Sequence, residues 1–264
     1  MNGRERTRSI LSELSGSATG VGELPRLLVQ LCSRALPVTG VGLTMMSSQD
    51  ASLGLAAATD GAAVVLEELQ FTLGEGPCVD ASRSGRPVLL SDLAHTPSGG
   101  EGGPRWPMFT PAALDAGVAA IFAFPLRIGA IRIGVLDLYR DRTGVLAEAE
   151  VTEALAFAAA ALTVVLHLQS HPPTKGRRHC TIGAVGTAIE QGPWALPLVD
   201  DRAVVHQATG MVSVTSAVSL AQALVLIRAR AYSDDRPVND VATDIVVGGL
   251  RLGGDPSAGS QPGV

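Results

Sequence analysis

Apolar residues at Leu24, Leu27, Leu28, Leu31 and Cys32 recur at the spacing of one helical face, which predicts a helix over residues 24–36. Short runs rich in β-branched and aliphatic residues follow at 41–46, 52–59, 87–93, 119–128 and 130–140, and each is expected to be a strand. Gly129 alone separates the last two, so they should form an antiparallel hairpin with a tight turn. Residues 146–169 then read as a long helix, acidic at its start as the helix dipole favours. A polar, charged arm at 1–21 precedes this block. Helices flanking one antiparallel sheet define an α+β domain over residues 22–170.

The pattern changes beyond residue 170. Residues 171–200 mix proline, glycine and a basic cluster and read as a linker, and 253–264 has the composition of a disordered tail. Between them, 201–252 holds three short helical patterns. The first spans about 201–214, with Val204, Ala208, Met211 and Val212 on one face. Ser219 and Gln222 have the spacing of a capping box, and Leu220, Ala223, Leu224, Ile227 and Ala231 form the stripe that follows. Asn239 is expected to cap the third helix, which carries Val241, Ala242, Ile245 and Val246 and stops at Gly248 and Gly249.

Composition narrows the function classes. With 46% hydrophobic and 17% charged residues among 264, the chain can bury a substantial core, and its formal charge of -5 gives no general basic field for nucleic acid or acidic lipid. Any nucleic-acid contact must be local. The three cysteines, Cys32, Cys78 and Cys180, are far apart and form no CxxC pair, which suits a reducing cytoplasm. The longest apolar run, 154–168, is short for a bilayer, so no membrane partner is expected.

Several residues invite chemistry. In GEGPCVDA, 74–81, Pro77 can open a helix and so place Cys78 at a helix N-terminus, where a thiolate is stabilised; a small buried core residue is the stronger reading. Residues 98–117 suit a lid over a ligand cleft, with Trp106, Met108 and Phe109 lining the pocket or plugging it. Asp80, Asp92 and Asp137 read as caps, turn residues and solvated strand-end groups in preference to a carboxylate pair, and His95 as a surface residue. His171, His179 and Cys180 lack a fourth ligand. No P-loop, nucleophile elbow or paired metal-ligand histidines occur, so no enzyme, cofactor or metal is expected.

HQATGMVSV, SLAQALVLIRARAYSDDRP and VNDVATDIV, in that order, resemble the ANTAR domain, a three-helix RNA-binding module of bacterial antitermination regulators. Upstream, LQFTLGEGPCVDASRSGRPVLLSDL and FAFPLRIGAIRIGVLDLYRDRTG resemble the GAF domain that precedes it in many actinobacterial regulators. The resemblance implies a GAF-type antiparallel sheet flanked by helices, followed by a small three-helix ANTAR-type module. It further implies a cytoplasmic sensor with a small-molecule ligand, whose effector binds leader-RNA hairpins and promotes transcription antitermination. Arg202, His206, Gln207, Ala208, Gly210, Arg228 and Tyr232 are the candidate RNA-binding residues.

Two departures from the family pattern bear on this. Many members carry a lysine where this chain has Thr209, and often a basic run where it has Val247, Gly248 and Gly249. Five arginines (202, 228, 230, 236, 251) against five aspartates (201, 234, 235, 240, 244) leave 201–252 neutral, whereas hairpin binding draws on counterion release. A protein partner is therefore the alternative, and a DNA-binding module the third reading.

Gly210 raises its own question, because glycine within a helix costs about 1 kcal/mol relative to alanine. Close packing against another helix or close approach of RNA would each account for it. Finally, Ala154, Phe157, Ala158, Ala161, Val164, Val165 and Leu168 give the long helix a broad apolar face. With Ile10 and Leu14 it could form a homodimer contact; alternatively the first and last helices of the sensor pack on each other.

Overall fold

The computed structural model describes residues 2–46, 52–98, 104–170 and 202–252. The expected linker and tail, and with them His171, His179 and Cys180, lie outside the described residues. The chain divides into two compact units, one holding all the strands and the helices up to residue 170, the other the three C-terminal helices.

In the first unit, helix α1 (Gly3–Ser17) starts at a capping box in which Asn2 and Glu5 satisfy each other's backbone N–H. A short 3-10 turn (Val21–Glu23) leads into α2 (Leu24–Ala35). Strands β1 (Gly40–Met46) and β2 (Ser52–Ala58) come next, then α3 (Gly61–Leu73) and α4 (Pro77–Ser84). Strand β3 (Val88–Leu90), helix α5 (Phe109–Asp115), strands β4 (Ala120–Ile128) and β5 (Ile131–Arg140), and the long α6 (Glu148–Ser170) complete it. The sheet is fully antiparallel in the order β2-β1-β5-β4-β3. The hairpin forms as expected: Ile128 pairs with Ile131, and Gly129 at φ +58 takes the first corner.

Period-two alternation sends the strands' side chains to two different environments. Val41, Leu43, Phe122, Phe124, Leu136 and Leu138 join Ile10, Leu14, Leu28, Cys32 and the inner face of α6 in one apolar core. Burial raises the Cys32 thiol pKa well above its usual range. Gly42, Thr44, Asp137 and Tyr139 occupy the alternate positions, and the sequence pattern had not provided a cover for that face. Helix α3 supplies one.

All seven residues expected to leave α6 with a spare apolar face are buried within the chain, as are Ile10 and Leu14. Arg6 and Glu153 form an ion pair at 2.5 Å between α1 and α6, so these two helices pack on each other. The dimer contact proposed for that face is thereby taken up inside one chain. Although α6 is the only single helix among the described residues long and apolar enough to cross a membrane, it is built into this core.

The second unit contains α7 (Ala203–Thr215), α8 (Leu220–Ser233) and α9 (Val238–Val246). The Ser219–Gln222 capping box is present. Two details differ from expectation. The buried stripe of α7 runs Val205, Ala208, Thr209, Val212, a rotation that leaves Val204 half-buried and Met211 exposed. Pro237, not Asn239, precedes the first residue of α9, because its fixed φ of -56 already suits a helix start. Gly248 ends the unit at φ +81, as a glycine stop should.

Candidate functional site

Helix α3 buries Ala63, Leu66, Glu67, Gln70 and Phe71, an ordinary helical stripe except that two of its members are polar. Both are used. Glu67, 3% exposed, accepts a very short hydrogen bond from the Thr44 hydroxyl of β1. Gln70 accepts the Cys78 backbone N–H at 2.7 Å and so holds the first turn of α4, which Pro77 opens as expected.

The sheet makes room for this arrangement. A Cβ at Gly42 would lie 3.1 Å from Glu67 Oε1, and one at Gly40 would lie 2.3 Å from the Tyr139 ring. Gly42 pairs directly with Asp137 on β5, so the carboxylates of Glu67 and Asp137 converge over a spot in the sheet with no side chain of its own. Ligand atoms of Glu67, Cys78 and Asp137 all lie within 4.8 Å of one another, and all three residues are buried.

This overturns the reading of Asp137 as a solvated strand-end group. It is 7% exposed, and neither carboxylate oxygen has a hydrogen-bond donor of normal geometry. Burial raises its pKa well above the usual carboxylate range, and the neighbouring Glu67 charge raises it further. Two ionised carboxylates at such separations would repel by roughly 3 kcal/mol or more at an effective dielectric of about 20.

The segment expected to act as a lid is a plug where it is described. Trp106 and Phe109 are 2% and 0% exposed and meet edge to face at 6.2 Å. Asp80 accepts from Arg105 Nε at 2.9 Å and Trp106 Nε1 at 3.2 Å, and Arg105 lies over the Trp106 ring. Glu75 Oε1 accepts the N–H groups of Met108 and Phe109 at 2.7 and 2.8 Å, which satisfies the start of α5. Of the four expected pocket residues, Cys78, Trp106 and Phe109 are buried. Met108 is 42% exposed. His95 is on the surface as expected, bonded to Asp92, whose pKa that contact lowers.

The C-terminal unit sorts the expected RNA contacts into two groups. Gln207 and Tyr232 are exposed, and Gly210 is open: a Cβ built there meets nothing within 4 Å. Close packing against the described residues is thus not the reason for this glycine. Arg228 is partly buried one turn before Tyr232 on α8. Ala208 and Arg202, by contrast, are buried: Ala208 lies on the inward face of α7, and Arg202 is tucked in at its N-cap. His206 is half-buried, and desolvation followed by the nearby Arg202 charge lowers its pKa. Thr209 turns inward and donates to the Val205 carbonyl at 2.6 Å. A further feature was missed: Gln207, Met211 and Val214 line an exposed stripe along α7 beside the half-buried Gly210, with Val214 82% exposed.

Among solved structures, the chain is similar to the GAF domain of a phosphoenolpyruvate-protein phosphotransferase from Coxiella burnetii, at 18% identity over 64% of this chain and 96% of that one, TM-score 0.46. A domain of a two-component sensor histidine kinase protein from Sinorhizobium meliloti 1021 shares 18% identity over 58% of this chain and 96% of its own, TM-score 0.45. Free methionine-R-sulfoxide reductase from Neisseria meningitidis, solved with its substrate, shares 16% over 64% and 90%, TM-score 0.43. No curated protein matches the chain. The family model of the GAF domain matches residues 22–167, which is more than half of the sequence and contains every strand described above. The chain belongs to the GAF domain family.

Proposed function

We propose that this protein is a signal-responsive regulator whose GAF domain takes a small ligand and whose three C-terminal helices bind leader-RNA hairpins, promoting transcription antitermination. The observation that carries the reading is the helical unit itself. It has the three helices, the Ser219 cap and the glycine stop that the ANTAR resemblance implies, and it leaves Gln207, Gly210 and Tyr232 accessible. An aromatic ring exposed one helical turn from an arginine offers a base a stacking surface beside a phosphate contact. The reading needs no covalent step, and places the protein in the cytoplasm, where nascent transcripts are. A homodimer would double the RNA contacts, through faces other than the one α1 and α6 share.

A second reading has its own support. Met211, Val214, Leu220, Val225, Leu226 and Val247 are all large, apolar and at least 38% exposed on a unit of about fifty residues. Such surfaces mark protein contacts more often than RNA contacts. Titration of the full chain against two-hairpin leader RNAs from its genome, at several salt concentrations, separates the two. Salt-dependent binding that Tyr232→Ala weakens supports the RNA reading; no binding at low salt refutes it and favours a protein partner.

A further inference from the structure

From the buried convergence of Glu67, Cys78 and Asp137 we infer a metal site: the sensor domain holds a divalent transition ion, Zn²⁺ or Fe²⁺, through two carboxylates and one thiolate. The site is independent of what the C-terminal helices bind.

Three donors from three separate elements, α3, α4 and β5, place their ligand atoms within 4.8 Å of one another. A tetrahedral ion with oxygen and sulfur ligands brings such atoms to about 3.3–3.5 Å, a contraction that carboxylate rotation supplies. Asp137 gives the observation that separates this cluster from a chance gathering of acids. It is more than nine-tenths buried, among the described residues neither of its oxygens has a hydrogen-bond donor of normal geometry, and the polar groups facing it are the Glu67 carboxylate and the Cys78 thiol. Protein interiors satisfy buried carboxylates, and among the described residues no arginine, lysine or backbone N–H does so.

The surroundings hold the ligands in place. The Thr44 hydroxyl bonds Glu67 and orients its carboxylate, Gln70 fixes the turn that carries Cys78, and Gly42 keeps the floor clear. The mixed donor set selects the metal class. Thiolate disfavours Mg²⁺ and Ca²⁺, whereas carboxylate alongside thiolate suits Zn²⁺ and Fe²⁺. Thiol and carboxyl groups ligate in their deprotonated forms, so any protons they carry leave to solvent on binding, and three protein ligands leave a coordination position for water or a small signal molecule.

Cobalt(II) is the probe, because cobalt bound to thiolate absorbs in the near ultraviolet. Full-length protein carrying Cys180→Ser, so that the thiol at 180 cannot contribute, is stripped with chelator and titrated. One ion per chain with the thiolate band is expected, together with a rise in Tm. Asp137→Asn and Glu67→Gln should each weaken binding at least tenfold, and Cys78→Ser should remove the band. Absence of the band in the parent protein at millimolar cobalt overturns the site, whatever the variants do. A band of unchanged affinity in folded Asp137→Asn overturns it equally.

Discussion

Replacing Gly210 with alanine tests the C-terminal unit most directly, because stability and binding should respond in opposite directions. Gly210 is the eighth residue of a thirteen-residue helix, and its φ lies outside the left-handed region. A methyl group there meets no atom within 4 Å, so no packing penalty offsets the helix-propensity gain. That gain is about 0.5–1 kcal/mol. Amide hydrogen exchange of α7 in the full-length protein should therefore slow by about 2- to 5-fold where exchange follows opening of the unit. On the RNA reading the same methyl occupies the approach surface, and affinity for a leader hairpin falls. Faster exchange in Gly210→Ala would refute the open-space argument. Slower exchange with unchanged RNA affinity would leave the glycine outside the interface.

Thr44→Val keeps the shape of β1 but removes the donor from the buried Glu67 carboxylate; a loss of about 1–3 kcal/mol is expected in urea denaturation, and a neutral result would mean that Glu67 does not depend on this bond. Trp106→Ala should cost about 3–5 kcal/mol as a truncated core aromatic, and a loss below about 1 kcal/mol would show that the segment is a loose lid instead of a plug. His206 binds protons less readily folded than unfolded, so its contribution to stability is complete above the ordinary imidazole value of 6.5 and is lost as pH falls below that value through the depressed folded one. The opening free energy of α7, taken from hydrogen exchange corrected for intrinsic amide rates, should fall over this acidic range in the parent protein and much less in His206→Gln; an equal fall in both would exonerate the histidine.

Much of the fold is readable from pattern alone. The strands and their hairpin follow from runs of β-branched and aliphatic residues with Gly129 at the corner, and α8 from a capping box spaced three residues apart. The buried acid cluster was not readable in the same way, and the reason lies in α3. Its stripe is Ala63, Leu66, Glu67, Gln70 and Phe71, so a search for apolar periodicity sees a broken pattern just where polar residues are buried on purpose. Without α3, the only cover the pattern offered the sheet was the segment 98–117, and Asp137 was read as a strand-end group. One signal was available: glycines at 40 and 42, alternating on a strand, mark side chains arriving from elsewhere. On α7 the error was one of phase. Thr209 is buried by bonding its hydroxyl to its own helix, and a polar residue at a core position rotates the apparent stripe by one residue.

Strand β5 has a mechanical consequence. Asp137 lies on its face toward α3, and Arg140, three residues further on, is 6% exposed and grips the far side of the domain. Its guanidinium binds the carbonyls of Pro37 and Val145 and the carboxylate of Glu150, at the start of α6. A strand is already extended at about 3.3 Å per residue and cannot stretch, so over these three residues it acts as a stiff rod about 10 Å long. Tension or relief at the Asp137 end is felt at the anchorage of the longest helix without passing through any loop.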